Sequence, residues 1–173
     1  MPNKIGSLFF FLFISLSVFS QDKMILNDQK SIPATEVWKF TSDTYTYSGG
    51  VEVQIGNNGK EGALLVQLES SEPTFYIGGN VYLFLEDGNV ITCTDKNVRS
   101  ISGKMIQTYY VLTTTEINLL KKTKITDIRF RINGNEKQFS SPTGFFTAHN
   151  KIRRFGLPDK TYDTVTEIKQ VFN

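Results

Sequence analysis

The stretch that most restricts how this chain can fold is 81–94, where two apolar runs flank Asp87-Gly88. An Asp-Gly pair in this position favours a two-residue β-turn in which both residues take positive φ, because that turn matches the twist of paired strands. Such a turn sets the register and places Leu85 opposite Val90. Since apolar residues occupy both faces, we expect the hairpin to lie inside a sheet and not at its edge.

Alternation of apolar and polar residues with period two recurs along most of the chain. It is clear at 51–55, 64–69 and 128–132, and residues typical of turns separate these segments. Many short strands joined by closely spaced turns are typical of antiparallel all-β proteins. The sequence therefore predicts an all-β fold, mainly an antiparallel β-sandwich or curled sheet of about eight to ten strands.

Two segments have helical signals instead. Thr113 and Glu116 have the spacing of a capping box, in which each residue satisfies the other's backbone amide, and they predict one short internal helix. Thr164 and Glu167 repeat that spacing before an apolar stripe of helical period, which predicts a C-terminal helix. The internal helix would also suit a crossover between parallel strands, so an α+β fold with a mixed sheet is the alternative.

A second tight turn is predicted at Asn133-Gly134, leading into a strand at 137–140. The core should be aromatic as well as aliphatic, because nine Phe, seven Tyr and Trp38 remain once residues 1–20 are set aside. The apolar positions expected to face this core are Val53, Ile55, Leu64, Val66, Leu83, Leu85, Val90, Ile117, Leu120, Ile128 and Phe130.

Residues 1–20 have the pattern of a secretory signal peptide. Lys4 precedes an apolar run, and the side chains of Val18 and Ser20 suit cleavage after Ser20. The run covers 15 residues, fewer than the roughly 20 that span a membrane, so we favour a removed signal over a retained anchor. Cys93 is the only cysteine and lies too far downstream for a lipid anchor.

These patterns predict a signal peptide at 1–20, an N-terminal arm at 21–34 and a single β-rich domain at 35–173. The domain is close to the usual single-domain size and needs no disulfide or metal to hold a core. We expect the protein to be exported to the periplasm or the exterior. After cleavage it should be soluble, neither inserted in a membrane nor lipid-anchored.

Several classes of partner and cofactor do not fit this composition. The net charge of +2 gives no long-range field for nucleic acid. One histidine and one cysteine cannot form a zinc site, and Asp87 lacks the acidic partners of a calcium loop. The pairs Gly49-Gly50 and Gly78-Gly79 lack the strand-to-helix context of a phosphate-binding loop and suit a turn and a bulge. We therefore expect no metal and no cofactor.

Candidates for catalysis are few. His149 lies in a polar, basic stretch that predicts a surface position, and Cys93 falls in an alternating segment that predicts a packed thiol. A pair of carboxylates would suffice for glycoside hydrolysis if their separation were right. The acidic residues at polar strand positions, where a solvated sheet face is the favoured interpretation, are Glu36, Glu52, Glu69, Asp127 and Glu136.

Aromatic residues supply the candidate ligand surface. Tyr45 and Tyr47 are two apart on a Thr-rich segment near Trp38, and a strand with this spacing presents its rings side by side. Packing in the core is the alternative. A basic cluster at 151–154 offers a second, weaker surface for an anionic polysaccharide or a protein.

The sequence thus favours an exported bacterial module without catalytic activity that binds a glycan or an envelope protein. The alternative is a carboxylate-dependent hydrolase of envelope or extracellular glycans.

Overall fold

The computed structural model describes residues 22–42, 50–135, 143–152, 156 and 158–173. The predicted signal peptide lies outside this part of the chain, and no helix within it is long and apolar enough to cross a membrane. The elements, in chain order, are β1 (Asp22–Ile25), β2 (Ser31–Ala34), β3 (Trp38–Ser42), β4 (Gly50–Asn57), β5 (Gly62–Glu69), β6 (Tyr76–Ile77), β7 (Val81–Leu85), β8 (Val90–Cys93), β9 (Arg99–Ser102), β10 (Met105–Leu112), α1 (Thr114–Leu120), β11 (Ile125–Asn133), β12 (Gly144–His149) and α2 (Thr164–Val171).

The strands form one curled antiparallel sheet, which confirms the predicted all-β fold with two short helices. Its order is β8-β7-β11-β12-β3-β4-β5-β10-β9, with β2 beside β4, β1 beside β2 and β6 beside β11. All twelve strands of the described residues pair antiparallel, more strands than predicted. Strands β10 and β11 flank the internal helix but do not pair, so the parallel crossover of the mixed-sheet alternative is absent there.

Side-chain hydrogen bonds from β9 and β10 to the segment around β6 draw the two ends of the curled sheet together. Thr108 donates its hydroxyl to the Ile77 carbonyl at 2.8 Å, and Arg99 donates Nε to the same carbonyl at 2.9 Å. Tyr110 donates its hydroxyl to the Gly79 carbonyl at 3.1 Å. The curled sheet forms a half-barrel, and at this seam between its two ends the described residues are joined by side-chain hydrogen bonds and not by a backbone ladder.

The concave side of the sheet holds the main core, and both helices contribute to it. Ile117 and Leu120 of α1 and Ile168 of α2 are buried there. Ten of the eleven predicted core residues are buried, and Val90 is the exception. Burial of alternate strand residues on one face is what the period-two pattern predicts.

The predicted capping box of α1 is confirmed. Glu116 N donates to the Thr113 hydroxyl at 3.3 Å, and Thr113 N donates to the Glu116 carboxylate at 2.7 Å. Helix α2 is capped differently from the prediction, because Asp163 and not Thr164 accepts the amide hydrogen bond of Thr166, at 3.2 Å. Thr164 is buried, and its hydroxyl accepts a hydrogen bond from Ile125 N at 3.0 Å, which ties α2 to β11.

The β7–β8 turn differs from the predicted two-residue turn. Leu85 pairs with Asn89 and Gly88 N donates to the Leu85 carbonyl at 2.9 Å, so three residues form the loop. Only Gly88 takes a positive φ, of 85°, which is the geometry of a type I turn followed by a glycine bulge. Asp87 stabilises this turn by accepting hydrogen bonds from the Asn89 backbone and side chain, and these bonds lower the pKa of Asp87.

One extra loop residue shifts the ladder, and a shift of one residue moves every side chain of a strand to the other face. Val90 pairs with Phe84 in place of Leu85 and is 47% exposed. Ile91 and Cys93 are buried instead. The expectation of an interior hairpin is also wrong, since β8 ends the sheet and pairs only with β7 among the described strands.

Asn133-Gly134 does not form the predicted tight turn. Ile132 pairs with Gly144, so the link from β11 to β12 is much longer than two residues. The predicted strand at 137–140 lies outside the described residues.

The segment predicted as an N-terminal arm contains the β1–β2 hairpin, which packs against the convex side of the sheet. Met24 and Ile32 are buried there with Leu65, whose neighbours Leu64 and Val66 face the main core. A Cβ atom at Gly56 would lie 2.6 Å from Ile32 Cδ1, so the absent side chain lets the hairpin approach β4 closely.

Candidate functional site

Trp38 lies in the core and not on the surface. Its side chain is fully buried, its ring stacks on Phe40 with centroids 6.4 Å apart, and Nε1 donates to the Glu167 carboxylate at 2.8 Å. Trp38 therefore packs in the core, which is the alternative to a place on the ligand surface. Tyr45 and Tyr47 lie outside the described residues, so a ligand surface that includes them stays a prediction.

The carboxyl group of Glu167 has a raised pKa. Its pKa is raised to about 7, mainly because the group is partly buried between α2 and the start of β3; the Trp38 hydrogen bond opposes this shift, and the negative charge of nearby Glu36 adds to it. Glu36 itself is exposed. The two carboxyl groups meet at a helix–sheet contact that holds α2 in place, and not across a cleft.

Glu167→Gln is expected to remove part of the pH dependence of stability. A pKa raised in the folded state means that folding favours the protonated carboxyl, so its stabilisation is complete below the unfolded pKa near 4.5 and is lost as the pH rises through 7. Above pH 7 the variant should exceed the wild type in free energy of unfolding by about 1–2 kcal/mol, a value reduced for solvent screening.

Urea unfolding of both proteins between pH 4 and 8 measures this difference, and Glu61→Gln is the matched control at an exposed position. A Glu167→Gln curve that runs parallel to the wild-type curve over the whole range would contradict the assignment.

Three other catalytic candidates, His149, Cys93 and Glu52, are explained by ion pairs or packing, and Glu136 lies outside the described residues. His149 is partly exposed, and its Nδ1 contacts the Asp127 carboxylate across β11 and β12. Cys93 is buried, and burial raises the pKa of its thiol to about 12, so it is not a reactive thiolate at neutral pH. Glu52 pairs with Lys39 at 3.1 Å on the sheet surface.

A polar cavity lies at the seam of the half-barrel, where β6, the 94–98 loop, β9 and the end of β11 meet. It has a volume of about 510 Å³ and is named the seam notch after this position. The residues that line the seam notch are Tyr76, Gly78, Gly79, Asp95, Asn97, Arg99 and Asn133.

Asp95 organises one wall of the seam notch. Its carboxylate accepts hydrogen bonds from Gly79 N and Asn97 N, each at 2.7 Å, and contacts the Arg99 guanidinium. Asn97 takes a positive φ of 58°, which brings its side chain back to accept a hydrogen bond from Arg99 Nη1 at 2.7 Å. Asn tolerates this left-handed conformation better than most residues do. The wall is therefore pre-organised by the protein itself.

The charge in the seam notch is compensated. Arg99 and Asp95 form an ion pair whose side chains are only 24% and 12% exposed, and among the described residues no other charged side chain lines the cavity. The Arg99 guanidinium uses three of its five N–H donors on Ile77, Asn97 and Asp95. Donors and acceptors thus remain in a site of no net charge.

An aromatic ring forms the opposite wall. Tyr76 is 44% exposed, and the Arg99 guanidinium lies 5.1 Å above its ring centroid, which fixes the ring position. A Cβ atom at Gly78 would lie 2.8 Å from both Tyr76 Cε2 and Asn133 Nδ2. The space between the ring and the Asn133 amide therefore depends on glycine at position 78.

Sequence reasoning did not identify this site. The sequence indicates only a bulge at Gly78-Gly79, whereas the residues that line the notch come from three parts of the chain, 76–79, 95–99 and 133. Asp95, Asn97 and Arg99 are close in sequence, but Lys96 lies between the first two and residues 94–98 form no strand, so no periodic pattern indicates the site.

The part of the chain that the structure describes contains no group of three or more His, Cys, Asp or Glu side chains arranged to hold a metal ion. Comparison with protein-family models, with curated proteins and with solved structures finds no match for this chain. Any assignment of function therefore depends on the chemistry of the site.

Proposed function

We propose that this protein is an exported, non-catalytic module that binds a glycan of the bacterial envelope or exterior, with the seam notch as its ligand site. The observation that carries the proposal is the combination of an exposed tyrosine ring with pre-organised, charge-compensated polar groups in one cavity. Ligand sites generally join apolar or aromatic surface to a few precisely placed polar groups.

The chemistry of the notch suits a sugar better than an ion or an apolar molecule. Hydroxyl groups both donate and accept hydrogen bonds, and the notch offers the Asn133 and Asn97 amides, the Asp95 carboxylate and free N–H groups of Arg99. An isolated anion would gain little from a guanidinium that Asp95 already neutralises. The Tyr76 ring supplies apolar surface for the C–H face of a sugar ring.

The hydrolase alternative has less support. A glycoside hydrolase needs two carboxyl groups on either side of the scissile bond, about 5–9.5 Å apart. The seam notch contains one carboxylate, Asp95, which two backbone amides and a guanidinium already engage. Glu167 has the raised pKa of a general acid but is hydrogen-bonded to buried Trp38.

Tyr76→Ala is expected to weaken glycan binding by about tenfold or more, equivalent to about 1.4 kcal/mol, because it removes the aromatic wall of the notch. A glycan array identifies a ligand, and isothermal titration then gives the affinities of the wild type and the variant. Since Tyr76 is 44% exposed, the melting temperature should change little.

Val90→Ala is the matched control, because Val90 is a similarly exposed apolar residue on β8 and does not line the notch. Equal affinities for the wild type and Tyr76→Ala would remove the notch from the proposal. Turnover of the bound glycan by the wild-type protein would favour the hydrolase alternative instead.

A further inference from the structure

The convex face of β11 presents two arginines beside an exposed aromatic ring. Arg129 and Arg131 are exposed, and their guanidinium carbons lie 4.9 Å and 5.5 Å from the ring centroid of Phe145 on β12. Phe145 pairs directly with Arg131 and is 53% exposed. The ring thus holds both cations close to one another by cation–π contact. Arg129 and Arg131 are named the arginine pair.

No carboxylate of the described residues forms an ion pair with either guanidinium. The acidic group nearest along the strand face, Asp127, contacts His149 instead. Residues two apart on a strand are about 6.7 Å apart along its axis, and two positive charges at such a separation repel each other. An anion placed between Arg129 and Arg131 would relieve this repulsion.

The arginine pair is continuous with the seam notch. Arg129, Arg131 and Asn133 share the convex face of β11, because the residues between them face the core. Asn133 lines the notch and pairs with Tyr76, and Gly78 N donates to the Arg131 carbonyl at 3.1 Å. One strand therefore leads from a polar cavity to two arginines that no carboxylate of the described residues pairs with.

We propose that the ligand is an acidic glycan, with a neutral part of a sugar ring in the seam notch and a carboxylate of a neighbouring sugar on Arg129 and Arg131. This inference rests on the proposed function and names its ligand class. Guanidinium groups match the planar geometry of a carboxylate and bind it through paired, charge-assisted hydrogen bonds. The contact also predicts that binding weakens as salt is added, since both arginines are exposed to solvent.

The test uses a panel of uronate-containing oligosaccharides, each compared with its carboxyl-reduced counterpart of the same linkage and length. Wild-type protein should bind an acidic member about tenfold or more tightly than its reduced counterpart, as expected for charged hydrogen bonds. The double variant Arg129→Gln/Arg131→Gln should lose this preference and keep its affinity for the reduced form. Its melting temperature should match the wild type, because both side chains are exposed.

Lys60→Gln/Lys122→Gln is the matched control, since it removes two exposed positive charges at the β4–β5 turn and the end of α1. If this control loses the preference equally, a general charge effect explains it and the inference is wrong. The inference also fails if the wild type binds the acidic and reduced forms equally. In that case the proposed function still stands if Tyr76→Ala weakens binding. If neither the wild type nor Tyr76→Ala binds any member of the panel, both the inference and the proposed function are overturned.

Discussion

Replacing Trp38 by Ala should lower the free energy of unfolding by about 3–5 kcal/mol. The indole is fully buried, and its loss would leave a cavity beside Phe40, whose ring stacks on Tyr162 with centroids 6.3 Å apart. The variant would also deprive Glu167 of its indole donor and weaken the contact between α2 and the sheet. Urea or guanidinium unfolding measures this loss. It is monitored by circular dichroism, a signal that does not require the tryptophan.

Trp38→Phe separates packing from hydrogen bonding. It keeps most of the apolar volume and removes only the N–H donor, so the expected loss is about 1–2 kcal/mol. A Trp38→Ala protein as stable as the wild type, but unable to bind its glycan, would contradict the buried position and return Trp38 to the predicted ligand surface.

Leu83→Ala should lower the free energy of unfolding by about 2–5 kcal/mol. Leu83 is fully buried at the centre of β7, which pairs with β8 on one side and β11 on the other. The lost side chain would leave a cavity that neighbouring strands cannot close without distorting both ladders. Chemical denaturation gives the value directly.

Val90→Ala tests the register of the same hairpin. Val90 is 47% exposed, so its substitution should change the free energy of unfolding by less than about 0.5 kcal/mol. A large loss at Val90 would favour the two-residue turn predicted from Asp87-Gly88, because that register turns Val90 towards the core.

Local patterns predicted those features that depend on local interactions. Alternation at 51–55 and 128–132 indicated which face of each strand is buried, since side chains on a strand alternate between faces. Thr113 and Glu116 indicated the start of α1, because a capping box satisfies amides within one turn. Val90 is the one predicted core position that is exposed. The reason is that Asn89, and not Val90, pairs with Leu85 after the turn.

The sequence by itself determined the antiparallel all-β class, the two helices and most of the core, because apolar periodicity and caps act between near neighbours. Only the tertiary structure decided which strands meet, that β8 ends the sheet, and that Trp38 faces α2. The seam notch likewise joins Tyr76, Asp95 and Asn133, which no local rule relates. Tyr76 and Asn133 meet because β6 pairs with β11, and the curl of the sheet brings Asp95, beside β9 at its far end, to them.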